Sequence, residues 1–209
     1  IYVLVRGGLG NGVRVINWED ENLGIYDGSG ELGSPAGLLV DEDENLYISD
    51  ETGHKIVVLD KDGNHLRSWG EYGNDDGQLA RPSGLSFDLD GNIVVSDTMN
   101  NRLQRFTRDG TFLQTVGALG SEVGFLSLPW GVTVDQEGNI YVADWGNDRI
   151  QKFSSEGTFL SSIGSFGSDR GQFNKPSSVA VDKHGDIYVA DRQNDRVQLF
   201  TKGGQYIQS

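Results

Sequence analysis

Cysteine is absent from this sequence of 209 residues, methionine occurs once and histidine three times. Without cysteine the chain forms no disulfide and has no thiolate nucleophile, so cysteine usage does not identify its redox compartment. No apolar run approaches the length of about 18 residues that a membrane-spanning helix needs. Basic residues are also scarce, since 17 Lys and Arg stand against 31 Asp and Glu and the net charge is −14. Because nucleic-acid binding depends on clustered cations, this balance argues against a nucleic-acid partner.

Proline is scarce too, and its positions reveal how the chain is organised. The prolines are spaced 47 residues apart, at Pro35, Pro82, Pro129 and Pro176. The 47-residue segments that begin at Pro82 and Pro129 share 20 identical positions. A looser copy begins at Pro35, and residues 1–33 hold an incomplete one. The chain is therefore an internal repeat, and its 30 glycines indicate regular turns rather than disorder.

Each repeat unit contains four short β-prone segments separated by turn residues. In the unit that begins at Pro129 they are Gly131–Val134, Ile140–Ala143, Arg149–Phe153 and Thr158–Ile163. Four antiparallel strands in about 40–50 residues are typical of a β-propeller blade. The third segment does not alternate cleanly between apolar and polar residues, which leaves a β-bulge and burial on both faces as open explanations. We predict an all-β propeller of four-stranded antiparallel blades, forming a single domain over residues 1–209 with blades at approximately 1–33, 34–80, 81–127, 128–174 and 175–209.

The recurring pattern PxGVxVDxxGNIYVADxxNxRIQxF resembles the NHL-repeat family. The resemblance covers residues 35–209 and, less closely, 1–34. It implies a propeller that usually has six blades, so these units are expected to be part of a six-bladed propeller or an incomplete five-bladed one. An open end would expose strand edges and apolar blade faces, which invite association. The resemblance, together with a first residue that is not methionine, leads us to expect an extracellular, periplasmic or cell-surface location.

Two aspartates recur in each unit, and we interpret both as structural. The first set ends the first strand, where a carboxylate accepts N–H bonds from its own turn: Asp41, Asp88, Asp135 and Asp182. Calcium binding is the alternative at Asp41, although Leu46 stands where the calcium loop requires glycine. The second set ends the second strand and precedes a Lys or Arg by five residues, which predicts a clamp between carboxylate, loop and cation: Asp50, Asp97, Asp144 and Asp191.

Function is expected where the units differ within the repeated frame. The loops between second and third strands and the connections between units are expected to share one rim of the propeller. Two single-copy indoles beside a guanidinium on this rim would suit a sugar, an aromatic or proline-rich peptide, or an acidic group. The candidate ligand-binding residues are Trp130, Trp145, Arg192, Ser177, Ser83, Thr98 and Phe166. The alternative is that the tryptophans pack between blades or fill the central channel.

The three histidines offer no convergent metal spacing, and no serine has a histidine at a matching rim position. The family includes an amidating lyase with a histidine-bound zinc, and the sequence shows no such ligand set. We therefore expect no metal and no cofactor, and favour a non-catalytic binding or scaffold module for a protein, peptide or glycan. The alternative is part of a propeller enzyme of the lyase, lactonase or hydrolase class, with metal ligands in further blades and single-copy acids such as Glu51 and Glu122 on this rim.

Overall fold

A computed structural model describes residues 1–7 and 10–209, and this part of the chain is all-β. Its strands form five antiparallel sheets of consecutive strands, which we number blade 1 to blade 5 in chain order. Blade 1 contains β1 (Tyr2–Val5), β2 (Gly12–Ile16) and β3 (Asn22–Tyr26). Blade 2 contains β4 (Pro35–Val40), β5 (Leu46–Asp50), β6 (Lys55–Leu59) and β7 (His65–Trp69).

The other three blades also have four strands each. Blade 3 contains β8 (Pro82–Phe87), β9 (Ile93–Asp97), β10 (Arg102–Phe106) and β11 (Phe112–Val116). Blade 4 contains β12 (Pro129–Val134), β13 (Ile140–Asp144), β14 (Arg149–Phe153) and β15 (Phe159–Ile163). Blade 5 contains β16 (Pro176–Val181), β17 (Ile187–Asp191), β18 (Arg196–Phe200) and β19 (Tyr206–Gln208). A single 3₁₀ turn follows the second strand of blades 3, 4 and 5, at Thr98–Asn100, Trp145–Asn147 and Arg192–Asn194.

The predicted fold class is confirmed, because blades 2 to 5 are four-stranded antiparallel sheets repeated along the chain. Blade 1, the incomplete unit, has three strands. The predicted segments of blade 4 match β12 to β15 within one or two residues at each end. The chain separates into two compact units, residues 1–85 and 86–209, and the boundary between them lies inside β8. The single domain over residues 1–209 stays a prediction.

Both explanations for the irregular third strand are correct. In blade 4 the pairing of β14 with β15 slips by one residue between Lys152 and Phe153, which is a β-bulge. Ile150 and Gln151, which point to opposite faces of β14, are both buried. The slip recurs between the third and fourth strands of blades 2, 3 and 5 and between β2 and β3 of blade 1.

The apolar cores lie between adjacent blades. In residues 1–85 the core comprises Val13, Leu32, Leu46, Ile48, Val57 and Leu59. In residues 86–209 there are two such clusters, one centred on blades 3 and 4 and one on blades 4 and 5. Each fully buried Leu, Ile, Val or Phe contributes about 1.5–3 kcal/mol. Since these strands are covered on both faces, their nearly continuous apolar sequence follows from the packing.

The first repeated aspartate organises a turn, as predicted. Oδ1 of Asp135 accepts the backbone N–H groups of Glu137 at 2.9 Å and Asn139 at 2.8 Å, and Oδ2 accepts the Asn139 side-chain amide at 2.9 Å. Burial would raise the pKa of Asp135, but these hydrogen bonds outweigh it and lower that pKa below its ordinary value. Asp41, Asp88 and Asp182 accept equivalent turn N–H bonds. Within residues 1–7 and 10–209 no group of three or more His, Asp or Glu could hold a metal ion.

Candidate functional site

The second repeated aspartate ties a loop to the preceding connection. Asp144 is fully buried, and its Oδ1 accepts the backbone N–H of Ser127 at 2.7 Å. Its Oδ2 accepts Asn147 Nδ2 at 2.9 Å, Arg149 Nε at 2.8 Å and Gln151 Nε2 at 3.0 Å. Asp191 in blade 5 accepts four corresponding bonds. The predicted clamp therefore exists, and it fixes the 3₁₀ turn that begins at Trp145.

The glutamine of this clamp has a role that we did not assign from the sequence. Gln151 Nε2 also donates to the carbonyl of Phe125 at 2.6 Å, and its Oε1 accepts the N–H of Gly124 at 2.8 Å. Gln198 makes the same contacts with Gln172 and Gly171. The available signal was the return of glutamine seven residues after the clamp aspartate, at Gln104, Gln151 and Gln198.

Blade 2 departs from this arrangement. Asp50 accepts the backbone N–H groups of Gly33 at 2.9 Å and Ser34 at 2.8 Å, and although burial opposes it, these bonds lower the pKa of Asp50. The predicted bridge from Lys55 to Asp50 is wrong, because Lys55 Nζ lies 2.6 Å from Glu31 Oε2 instead. An ammonium on a flexible stem lacks the fixed fork that holds an arginine against its carboxylate, and it reaches a different acid here.

The residue before the first strand adopts an unusual backbone conformation. Leu128 has a φ of 48° and Lys175 a φ of 55°, in the left-handed region that is uncommon for residues other than glycine. The N–H of Leu128 donates to Asn101 Oδ1, and that of Lys175 to Asp148 Oδ1, each at 2.9 Å. These bonds help hold the residue in place before β12 and β16 begin.

Clamp and connection together bring two indoles into contact. Pro129 is paired with Asp144 across β12 and β13, so the residues that follow them, Trp130 and Trp145, lie at the same end of the sheet. Their ring centroids are 6.1 Å apart with an interplanar angle of 73°, an edge-to-face contact. Both side chains are half-buried. The Trp145 indole nitrogen is buried and has no hydrogen-bond acceptor in the described part of the chain.

A cationic side chain also lies over each indole ring. Arg192 Cζ lies 5.2 Å from the centroid of the Trp130 ring, and Lys175 Nζ lies 4.8 Å from that of Trp145. Lys175 is also 3.3 Å from Asp148, which compensates its charge. Arg192 is exposed, and no described residue forms an ion pair or hydrogen bond with its guanidinium. We call Trp130, Trp145, Lys175 and Arg192 the tryptophan–cation cluster. Lys175 was not among the candidates, although the residue before the proline differs in every unit and this variation was the available signal.

The other candidate residues occupy different environments. Thr98 Oγ1 donates to the Pro129 carbonyl at 2.8 Å and so supports the start of β12. The Ser177 carbonyl would lie 2.8 Å from a Cβ on Gly131, so β16 approaches β12 beside Trp130. Phe166 is 69% exposed in the connection between blades 4 and 5, and no described ring contact joins it to the cluster.

One candidate residue, Ser83, and one single-copy acid, Glu51, lie outside the unit of residues 86–209. Ser83 lies in the unit of residues 1–85 and is buried, where its carbonyl accepts the Ser49 hydroxyl at 2.5 Å. Glu51 in the same unit is ion-paired with Arg6 at 3.3 Å and Arg81 at 3.2 Å. The structure thus joins Trp130, Trp145 and Arg192 and places Thr98 and Ser177 beside them.

No helix within residues 1–7 and 10–209 is long and apolar enough to cross a membrane. No curated protein matches the chain.

Solved structures of similar fold include a protein of unknown function from Bacteroides thetaiotaomicron, 20% identical with a TM-score of 0.75 over 95% of this chain and 55% of that one. Virginiamycin B lyase from Staphylococcus aureus is 17% identical with a TM-score of 0.65 over 85% of this chain and 55% of the lyase. A gluconolactonase from Xanthomonas campestris is 19% identical with a TM-score of 0.66 over 86% of this chain and 62% of the enzyme. The chain thus spans less than two thirds of each of these structures, and the likeness shows the fold alone.

The NHL repeat matches the chain three times, at residues 79–106, 126–153 and 173–200. Each match covers the region from the end of a connection to the end of a third strand, which includes the turn aspartate, the clamp aspartate and the clamp glutamine. The matches lie in blades 3, 4 and 5 and recur with the 47-residue period of the sequence. The chain therefore contains three NHL repeats within a β-propeller fold.

Proposed function

We propose that the chain is a non-catalytic binding module that recognises a protein, peptide or glycan through the tryptophan–cation cluster. The observation that carries this proposal is the guanidinium of Arg192, which lies over the Trp130 ring and has no anionic partner among residues 1–7 and 10–209. An arginine held on an aromatic face is preorganised, so less conformational entropy is lost when it binds a carboxylate.

The charges around the cluster favour a ligand with an acidic group. The chain has a net charge of −14, and most cations that follow the clamp aspartates are bound to them. Asp148 compensates the charge of Lys175, whereas no carboxylate in the described part of the chain does so for Arg192. Arg192 is therefore a local exception in an acidic protein, and an acidic peptide side chain or an acidic sugar would neutralise it.

The indoles favour a ligand that also presents a flat or apolar surface. Trp130 and Trp145 are half-buried and edge-to-face, so the body of each ring is held by packing while part of it faces solvent. Rigid tryptophans beside an arginine are the side chains most often found at the energetic centre of binding surfaces. The edge-to-face contact also serves packing, and the proposal requires only that the exposed part of the rings is used.

The enzymes of similar fold do not lead us to propose a reaction. Virginiamycin B lyase and the gluconolactonase are 17% and 19% identical to this chain, so their chemistry does not transfer with the fold. The alternative, a propeller enzyme with metal ligands in further blades, requires stoichiometric metal in the intact protein. Metal analysis of that protein distinguishes it from a binding module.

The proposal is tested by probing two printed arrays with the labelled 209-residue chain: one of uronic-acid and sialylated glycans, and one of peptides with Asp or Glu beside aromatic residues. We expect hits on acidic ligands, with affinity at least about tenfold weaker, or about 1.4 kcal/mol, after Trp130→Ala or Arg192→Gln. Arg170→Gln is the matched control, since this exposed arginine also stacks on an aromatic ring, that of Tyr206 at 5.9 Å. Absence of acidic hits, or hits that Arg192→Gln leaves unchanged, would contradict the proposal.

A further inference from the structure

The same backbone hydrogen bond recurs where three connections enter the first strand of a blade. The residue before the repeated proline donates its N–H to a side chain 27 residues earlier, at 2.9–3.0 Å. Donor and acceptor residues both lie in the left-handed region, with φ between 48° and 56°. We call this bond the connection latch, and its donor–acceptor pairs are Arg81 with His54, Leu128 with Asn101 and Lys175 with Asp148.

The acceptor atoms of the three latches differ in chemistry. Asn101 and Asp148 accept through amide and carboxyl oxygens, which keep lone pairs over the whole pH range in which histidine changes charge. His54 accepts through Nδ1, which is possible only while the ring is neutral and its proton is on Nε2. In an imidazolium both ring nitrogens are donors. Of the three latches, only the one at His54 therefore depends on the charge of a histidine.

His54 contacts both ends of the connection over residues 70–81. Near the start of that connection, the centroid of the Tyr72 ring lies 4.7 Å from that of the imidazole. At its end, Nδ1 accepts the Arg81 N–H at 3.0 Å. A left-handed residue other than glycine persists where surrounding contacts hold it, so the latch helps fix the Arg81 backbone before Pro82.

The charged groups near His54 are engaged with one another rather than with its ring. The Arg81 guanidinium of the connection is paired with Glu51 of the preceding loop, at 3.2 Å between Nη2 and Oε2. The ammonium of Lys55, which follows His54 in the sequence, is paired with Glu31. In the described part of the chain no carboxylate forms an ion pair with His54. A protonated ring would therefore turn an N–H toward the Arg81 N–H, donor against donor, without a carboxylate to compensate its charge.

We propose that the His54 latch is a pH-sensitive switch, which holds the Arg81 backbone while His54 is neutral and releases it when His54 binds a proton. The proton is taken from solvent and binds at Nδ1, so the Arg81 N–H then donates to water instead. The contact with Tyr72 does not have to break, because an aromatic face attracts a cation. The latches at Asn101 and Asp148 stay closed, so release is confined to this one connection. The switch contains no residue of the tryptophan–cation cluster.

The test follows the ¹⁵N-labelled 209-residue chain by NMR from about pH 5 to about pH 8, the range in which histidine changes charge. We expect His54 to be neutral with its proton on Nε2 at the upper end of the range. As His54 becomes protonated, the chemical shift of the Arg81 amide should change with the same midpoint. Its protection against hydrogen exchange should fall by about fivefold, the factor that corresponds to one typical net hydrogen bond. The Leu128 and Lys175 amides, in the other two latches, are internal controls and should keep their protection.

Two variants assign the response to His54. His54→Asn gives the Arg81 N–H an acceptor like that of Asn101, so this amide should stay protected over the whole pH range. His65→Asn is the matched control, because His65 is an exposed histidine of β7 in the same blade, and it should leave the response unchanged. The proposal would be overturned by a proton on Nδ1 at the upper end of the range or by a His54 that does not titrate within it. An Arg81 amide that does not follow His54, or a response that survives His54→Asn, would overturn it as well.

Discussion

Replacement of Asp144 by alanine removes the acceptor at the centre of the blade 4 clamp. The carboxylate is fully buried and accepts four hydrogen bonds, one of them from the guanidinium of Arg149. The Arg149 side chain is only 12% exposed, so the variant leaves a largely buried cation without its counter-charge. We therefore expect a large loss of stability and, because Asp144 directly precedes Trp145, weaker ligand binding as well.

The size of the loss depends on the hydrogen bonds that the four donors to Asp144 keep in the variant. Removing one partner of a buried ion pair costs about 3–5 kcal/mol. Arg149 keeps hydrogen bonds to the carbonyls of Glu122 and Phe125, Asn147 keeps one to Gly120, and Gln151 keeps one to Phe125. The Ser127 N–H has no second acceptor within the described residues of the clamp. Since three of the four donors stay partly satisfied, we place the loss in the lower half of that range, at about 3–4 kcal/mol.

Urea unfolding followed by both far-UV circular dichroism and tryptophan fluorescence measures this loss, provided that the two transitions coincide. Asp90→Ala is the control, because Asp90 is an exposed turn aspartate and its replacement should change the free energy of unfolding by less than about 0.5 kcal/mol. The double variant Asp144→Ala, Arg149→Met removes the unpaired charge together with its partner. It should be destabilised by less than the sum of the two single variants.

Two results would refute this reasoning. A loss below about 1 kcal/mol for Asp144→Ala would mean that water replaces the carboxylate at little cost, so the clamp would not hold the loop. Strict additivity in the double variant would mean that Asp144 and Arg149 are not coupled, despite the 2.8 Å between Oδ2 and Nε.

Two further predictions concern packing and pH. Gly164→Ala should lower the free energy of unfolding by about 1–3 kcal/mol, because φ is +88° and a Cβ would lie 2.2 Å from the Phe173 ring, whereas Gly203→Ala, with its nearest atom at 3.7 Å, should be nearly neutral. Equal effects in urea unfolding would contradict this. Hydrogen bonds lower the pKa of the turn carboxylates such as Asp135 and Asp182 in the folded state, despite the opposing effect of burial. The stability that these carboxylates contribute is present above the unfolded pKa of about 3.9 and is lost as the pH falls further. The urea concentration at the unfolding midpoint should therefore decrease when the pH is lowered below about 4, and this decrease should be smaller in Asp135→Asn. A midpoint that rises on acidification would show that the sign is wrong.

The sequence predicted most of the frame because the frame is repeated. A 47-residue period shows the same turn and clamp aspartates in several blades, so each assignment is supported by the others. Strand positions in blade 4 were correct within one or two residues, and the irregular β14 pointed to its bulge. The predicted clamp was wrong at Lys55, because its ammonium pairs with Glu31 instead of Asp50.

The candidate site was less predictable. Trp130, Trp145 and Arg192 are single-copy residues in a repeated frame, and this made them candidates. Their contact depends on the pairing of Pro129 with Asp144 and on the position of the next blade's loop. Lys175 also varies between units but was missed, because the sequence does not show that its residue adopts a left-handed backbone conformation and lies over Trp145.

The sequence by itself determined the repeat, the fold class and the local chemistry of turns and clamps. These features depend on short-range patterns, since each carboxylate binds groups within a few residues or in the preceding connection. Only the tertiary structure decided which indole meets which cation, and that Tyr188 and Val197 are exposed while their counterparts are buried. Because the blades have nearly the same residues at equivalent positions, the sequence of one blade does not show whether its face is covered. That depends on the adjacent blade.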